Sequence, residues 1–191
     1  MTNPESIQVC VLSSTSYGHV ETGYSNGVWA VPRTTIGGLR HRADAIRGMP
    51  CLFYVSALPV WGEGFFCGPG IVTDAPSDDF ADLHAELFPE GGDWCLGFPF
   101  ERLALGVKMR MNADSIRQLQ VVAHGSGNYS QDLHLAGRCV FLPCHFPVED
   151  CRRILTATGA TVDALDKWIA ASARLSLARD KESPGSSPPG G

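Results

Sequence analysis

The chain has 191 residues, 44% of them hydrophobic and 18% charged, with a formal net charge of −5. The composition supplies one sizeable core and excludes a disordered or fibrous chain, and the length leaves no room for two ordinary domains. The negative balance excludes charge-driven coating of nucleic acid; no apolar run approaches a membrane span, and residues 1–6 lack the basic-then-apolar pattern of a signal peptide, which points to the cytoplasm.

Residues 7–13 are a short apolar run rich in β-branched side chains and bounded by a Ser/Thr/Gly cluster, the pattern of a first strand. A polar, glycine-containing stretch follows. In Gly27-Val28-Trp29-Ala30-Val31-Pro32 the closing proline holds Val31 extended, so Trp29 falls on a strand end or loop. Over residues 34–47, Ile36, Leu39, Ala43 and Ile46 form a helical stripe opened by Thr34, with Arg40, Arg42 and Arg47 on the other faces. Residues 51–56 and 65–73 read as neighbouring strands joined by a Pro/Gly loop that carries Trp61; the glycines and Pro69 suggest a bulge or a sheet edge in the second.

Between Asp74 and Asp93 there are seven acidic residues and no Lys or Arg, a surface excursion with a brief helical pattern at Phe80, Leu83 and Leu87. The molecule is therefore polarised, with the arginine-bearing segment able to meet phosphates. Residues 94–111 return to strand character, 116–124 add another piece, and 137–142 form a late strand or buried turn. Helices are expected over residues 151–157 and 161–179, the second with Val162, Leu165, Trp168, Ile169 and Leu175 on one side. Residues 1–180 read as a single domain and 181–191, rich in Ser, Pro and Gly, as a flexible tail or linker.

The seven cysteines are an odd set, several within apolar runs, and fit reduced core thiols better than a disulfide framework. Cys139, Cys144, His145 and Cys151 cluster without a C-x-x-C pair, a poor zinc pattern, so no metal is expected. No Walker loop, H-E-x-x-H or G-x-S-x-G is present, so neither catalysis nor a cofactor is called for.

One ordered series stands out: a strand ending in Ser13-Ser14, then Gly27-Val28-Trp29, an arginine-bearing helix, Leu52-Phe53-Tyr54-Val55 and Phe65-Phe66-Cys67-Gly68. Asp93-Trp94-Cys95 with Pro99-Phe100 and the segment Ala136-Gly137-Arg138-Cys139-Val140-Phe141-Leu142 extend it. In order and spacing the series resembles the YTH domain, and Gly27-Val28-Trp29-Ala30-Val31-Pro32 also resembles bacterial EVE domains. The resemblance implies an α+β fold, a PUA-like β-barrel of YTH/EVE type surrounded by helices, with an aromatic cage that stacks on an everted base. Trp29 matches the family's first cage tryptophan, with Ala30 beside it, and Ser14 the turn serine. Thr15 and His19 stand where the methyladenosine readers carry asparagines, and Ser13 where they carry a lysine. A second wall comes from Phe80, Phe88 or Trp61, whereas Trp94 and Trp168 read as core residues.

Phosphates on either side of the base would meet Arg33, Arg40 and Arg42, with Lys108, Arg110 and Asn128 as further contacts, since guanidinium forks suit phosphate oxygens. The implied partner is DNA or RNA carrying a modified base. The resemblance leaves two settings open, the specificity part of a modification-dependent restriction system beside a nuclease or motor, and a reader of modified RNA. A protein-interaction module is the rival reading.

Overall fold

The computed structural model describes residues 5–14, 16–32, 46–55, 65–89, 94–108, 111, 122–123 and 143–182. The expected helix over 34–47 falls outside them except at its end, as do Thr15, Arg33, Arg40, Arg42, Trp61, Arg110, Asn128 and the segment 137–142. In chain order the elements are β1 (Ser6–Ser14), α1 (Tyr17–Asn26), β2 (Val28–Pro32), β3 (Pro50–Val55), β4 (Phe65–Val72), α2 (Asp78–Leu87), β5 (Trp94–Arg102), β6 (Val122–Ala123), β7 (Pro143–Pro147), α3 (Val148–Ala157) and α4 (Ala164–Glu182).

The strands form one mixed sheet in the order β2-β5-β4-β3-β1-β7-β6. β1 and β3 run parallel; every other described pair is antiparallel. The expected α+β class holds, but the expected barrel does not. Among the described residues β2 and the two-residue β6 are left at opposite edges, and no pairing closes the sheet.

The pattern of burial gives the physical reason. A barrel would send one side of each strand into a single interior, whereas here the strands serve two cores. On β1, Ile7, Val9 and Val11 join one apolar cluster while Cys10 and Leu12 join the other; on β3, Leu52 and Tyr54 face one way and Cys51, Phe53 and Val55 the other. α3 and α4 cover the first face through Ile154, Leu155, Trp168 and Ala171. Val20 and Tyr24 of α1 pack into the second, which also holds Trp29 and Phe98.

β4 changes side part-way along. Phe66 and Ile71, of opposite parity, belong to the same core, because an extra residue sits between Cys67 and Gly70 opposite Cys51–Phe53. That is the bulge the glycines and Pro69 suggested, although β4 is an interior strand and not an edge. The bulge is clasped from both faces: Tyr24 Oη donates to the Pro69 carbonyl at 2.8 Å, and Trp168 Nε1 donates to the Gly70 carbonyl at 3.0 Å. Trp168 is fully buried, as expected.

Two elements were not foreseen. The polar stretch after β1 is the helix α1, capped by Ser16, whose Oγ accepts from the His19 amide at 3.3 Å, and closed at Gly27 in the left-handed conformation. β7 carries prolines at both ends, where they interrupt no interior ladder bond.

Candidate functional site

Four elements converge on one group of rings. β2 supplies Trp29, and α1 supplies His19 two residues into the helix. α2 supplies His84 from its last turn and Phe88 at its C-cap, and β5 supplies Trp94 as its first residue. His19 lies 4.1 Å from Phe88, 5.4 Å from Trp94 and 6.4 Å from Trp29, centroid to centroid. His84 lies 4.4 Å from Trp94, 4.6 Å from Phe88 and 5.5 Å from Trp29, and is edge-on to both indoles. Four of these six separations fall in the range of favourable offset or edge-to-face aromatic pairs, and the two shortest are closer still.

Local backbone features set the rings in place. The two ends of the Ser77–Gly97 bridge exchange N–H···O bonds of 2.8 and 3.0 Å, which docks the start of α2 against β5. Ser77 then caps α2 by accepting from the Phe80 amide. A Cβ on residue 97 would collide with the backbone of Phe80 and Ala81, so only glycine lets the helix approach this closely. Gly23 does the same for Trp29: a Cβ there would come within 2.9 Å of the indole Cε3. β5 also slips by one residue against β2 between its pairings with Val31 and Pro32, and this irregularity sets off Trp94 from the regular strand.

The electrostatics are unusual for so apolar a group. His84 is 0% exposed, and among the described residues neither of its ring nitrogens has a hydrogen-bond partner; the buried Trp94 Nε1 also has none there. A buried polar atom left unsatisfied costs about 1–3 kcal/mol. Burial, and secondarily the neighbouring His19, lower the His84 pKa to about 4. Burial also lowers that of His19. At neutral pH, His84 is therefore a neutral ring with one donor and one acceptor, and Trp94 adds a donor.

This has a consequence for stability. The unfolded chain takes up a proton on His84 near pH 6.5 and the folded chain only near pH 4, so the unfolded state binds more protons between them. The contribution is complete above pH 6.5 and drains away as pH falls toward 4. Urea titrations should show a loss on the order of 1–2 kcal/mol between pH 7 and 4.5, after a discount for solvent screening, with a shallower decline in His84→Phe. An identical decline in that variant would remove His84 as the cause.

Of the residues singled out from sequence, the structure brings Trp29, His19 and Phe88 together. Trp29 is 3% exposed and also packs on Phe53 at 4.9 Å, so one side of its ring belongs to the core. Ser14 is engaged in the turn before α1, where its Oγ both donates to the Ser16 carbonyl and accepts from the Ser16 amide, each at 3.1 Å. Ala30 is buried and pairs with Gly97. Phe80 lies half-buried in the first turn of α2, and its backbone packs on Gly97. Lys108 is exposed, next to Val107, whose carbonyl accepts from Tyr17 Oη. Trp94, read from sequence as a core residue, is half-buried and lies within the ring cluster; His84 was missed altogether. Among the described residues no three His, Cys, Asp or Glu side chains are placed to hold a metal, and no helix is long and apolar enough to cross a membrane.

With this geometry in place, solved structures offer a comparison. The chain is similar to YTH domains. The YTH domain of Zygosaccharomyces rouxii MRB1, in complex with N6-methyladenosine RNA, is 19% identical, with 63% of this chain and 71% of that chain covered and a TM-score of 0.43. The YTH domain of Pho92, in complex with m6A, is 18% identical, with 63% and 68% covered and a TM-score of 0.44. No family model matches the chain, and no curated protein matches it.

Proposed function

We propose that this chain is a non-catalytic reader of RNA that holds one modified base among Trp29, Trp94, His19 and Phe88, the rings gathered about His84. The observation that supports it is the convergence of these rings from four elements around buried nitrogens that lack partners. An aromatic platform binds any base, at about 1–3 kcal/mol per stacked base, and nitrogens at its rim select among base edges. The imidazole of His19, whose pKa burial lowers, and the Trp94 indole N–H are suitable selectors, since together they present both a donor and an acceptor.

The approach of the strand follows from charge. Asp78, Asp79, Asp82 and Glu86 all stand exposed on α2, and this acidic flank opposes phosphates. In our reading the backbone keeps away from this flank, and Arg33, Arg40, Arg42, Lys108, Arg110 and Asn128 are its contacts. Removing Arg40 and Arg42 should then weaken modified and unmodified strands alike and flatten the salt dependence.

The test is a titration of the full chain with short RNAs that differ only by one N6-methyladenosine, alongside DNA strands with methylated or hydroxymethylated bases. A preference of about tenfold, roughly 1.4 kcal/mol, for the modified RNA is expected. Trp94→Ala should erase that preference at little cost in stability, since the ring is only half-buried. A preference for modified DNA would instead put the chain in a modification-dependent restriction setting, with cleavage left to a partner. Equal binding of every modified and unmodified pair would overturn the reading.

A further inference from the structure

The ring that touches both indoles most closely is His84, at 4.4 Å from Trp94 and 5.5 Å from Trp29. A base sandwiched between two walls needs about 7 Å between them, twice the roughly 3.5 Å of carbon contact. The imidazole is too close to either indole for a base to lie between it and that ring. His84 is also fully buried, and both of its nitrogens are without partners. Water would satisfy both of them outside the cluster, whereas the buried position offers the ring contacts with its aromatic neighbours.

The helix that carries it fully buries few side chains of its own. Ala81 and His84 are the buried residues of α2, and its other described side chains are exposed or half-buried. Its start is tied to β5 through the Ser77–Gly97 bridge. The last turn, with His84 and the Phe88 cap, has no comparable backbone tie to the sheet among the described residues. A helix end without such a tie can open locally while the rest of the helix stays docked.

We propose that His84 is a built-in plug: its imidazole occupies the place of the caged base, and a base enters when the last turn of α2 carries it out. The proposal rests on the ring cluster being the base site. A plug of this kind opposes every base alike. It therefore reduces affinity by the fraction of molecules that are open, and it leaves the ratio between modified and unmodified strands untouched. A residue that reads the base does the opposite: its loss lowers affinity and collapses the ratio.

Two variants separate these cases. His84→Ala removes the plug, and binding of modified and unmodified RNA should tighten together, by about tenfold if roughly one molecule in ten is open. His84→Phe keeps a ring of similar breadth without nitrogens for water to reclaim, so both strands should bind more weakly than to the wild-type chain. Unchanged or weaker binding in His84→Ala, with or without a lost ratio, overturns the plug.

Hydrogen exchange on the chain without RNA provides a readout that needs no ligand. Fast exchange of the amides in the last turn of α2 and of the Trp94 indole N–H, against slow exchange in β3, is expected. Should no strand bind the wild-type chain, the reader function fails. The moving turn then stands or falls on this exchange pattern, and an indole N–H protected as long as the β3 amides overturns it.

Discussion

Replacing Trp29 with Ala should cost about 3–5 kcal/mol of stability as well as all base preference, because the indole is 3% exposed and packed on Phe53, His84 and the helix surface at Gly23. Against a total of about 5–15 kcal/mol for a typical domain, such a loss leaves much of the chain close to unfolding. A cage residue on a strand end or loop would be expendable to the fold; the position of Trp29 in the second core says otherwise. Loss of binding in Trp29→Ala is thus not diagnostic of a cage. Trp29→Phe is the informative variant: it should keep the fold within about 1–2 kcal/mol while giving up part of the stacking face. Denaturant titration decides the matter, and a loss below about 1 kcal/mol in Trp29→Ala would contradict the burial of the ring.

Gly97→Ala should be the most disruptive small substitution near the site. The new Cβ meets main-chain atoms of Phe80 and Ala81, which cannot rotate aside as a side chain can. Either α2 lifts off β5 or the paired strands β2 and β5 shift, and overpacking of this kind costs about 1–3 kcal/mol. The Ser77–Gly97 hydrogen bonds should lengthen or break. The expected result is faster exchange across α2 and a changed tryptophan emission, while β1 and β3 keep their protection. Undiminished protection of α2 would mean that the close approach at Gly97 is not what seats the helix.

How far the sequence revealed the site depends on the kind of signal each residue carries. β3 and β4 were legible because long apolar runs bounded by Pro and Gly have few alternatives, and the Gly68-Pro69-Gly70 sequence pointed to the bulge. The barrel was inferred from resemblance, whereas the alternation of β1 between two apolar faces, visible in residues 7–12, already argued for a sheet covered on both sides. α1 was missed because Gly18, Gly23, Ser25 and Asn26 are weak helix formers. Its signal lay in the Ser16 cap, the Val20/Tyr24 spacing and Gly27 beyond the last turn. On α2 the apolar stripe misled. Leu83 is 46% exposed, and Ala81 and His84 form the buried face. A histidine one turn from an apolar position reads as polar surface unless its neighbours in space are known. Those neighbours come from β2, β5 and α1, which no local pattern brings together. Trp94 was assigned to the core on the strength of its type; its half-buried position depends on the slipped register at the start of β5.

The five cysteines whose side chains are described, Cys10, Cys51, Cys67, Cys144 and Cys151, are all buried thiols. Burial pushes the pKa of Cys51 and Cys151 well above the usual thiol range. It is the thiolate that attacks an alkylating reagent, so these positions stay silent while the sheet is intact and react once it comes apart. They amount to a clock for whole-molecule unfolding that runs independently of α2. A loosened α2 leaves the clock stopped, whereas any solution condition that starts it has dismantled the sheet on which the rings are mounted.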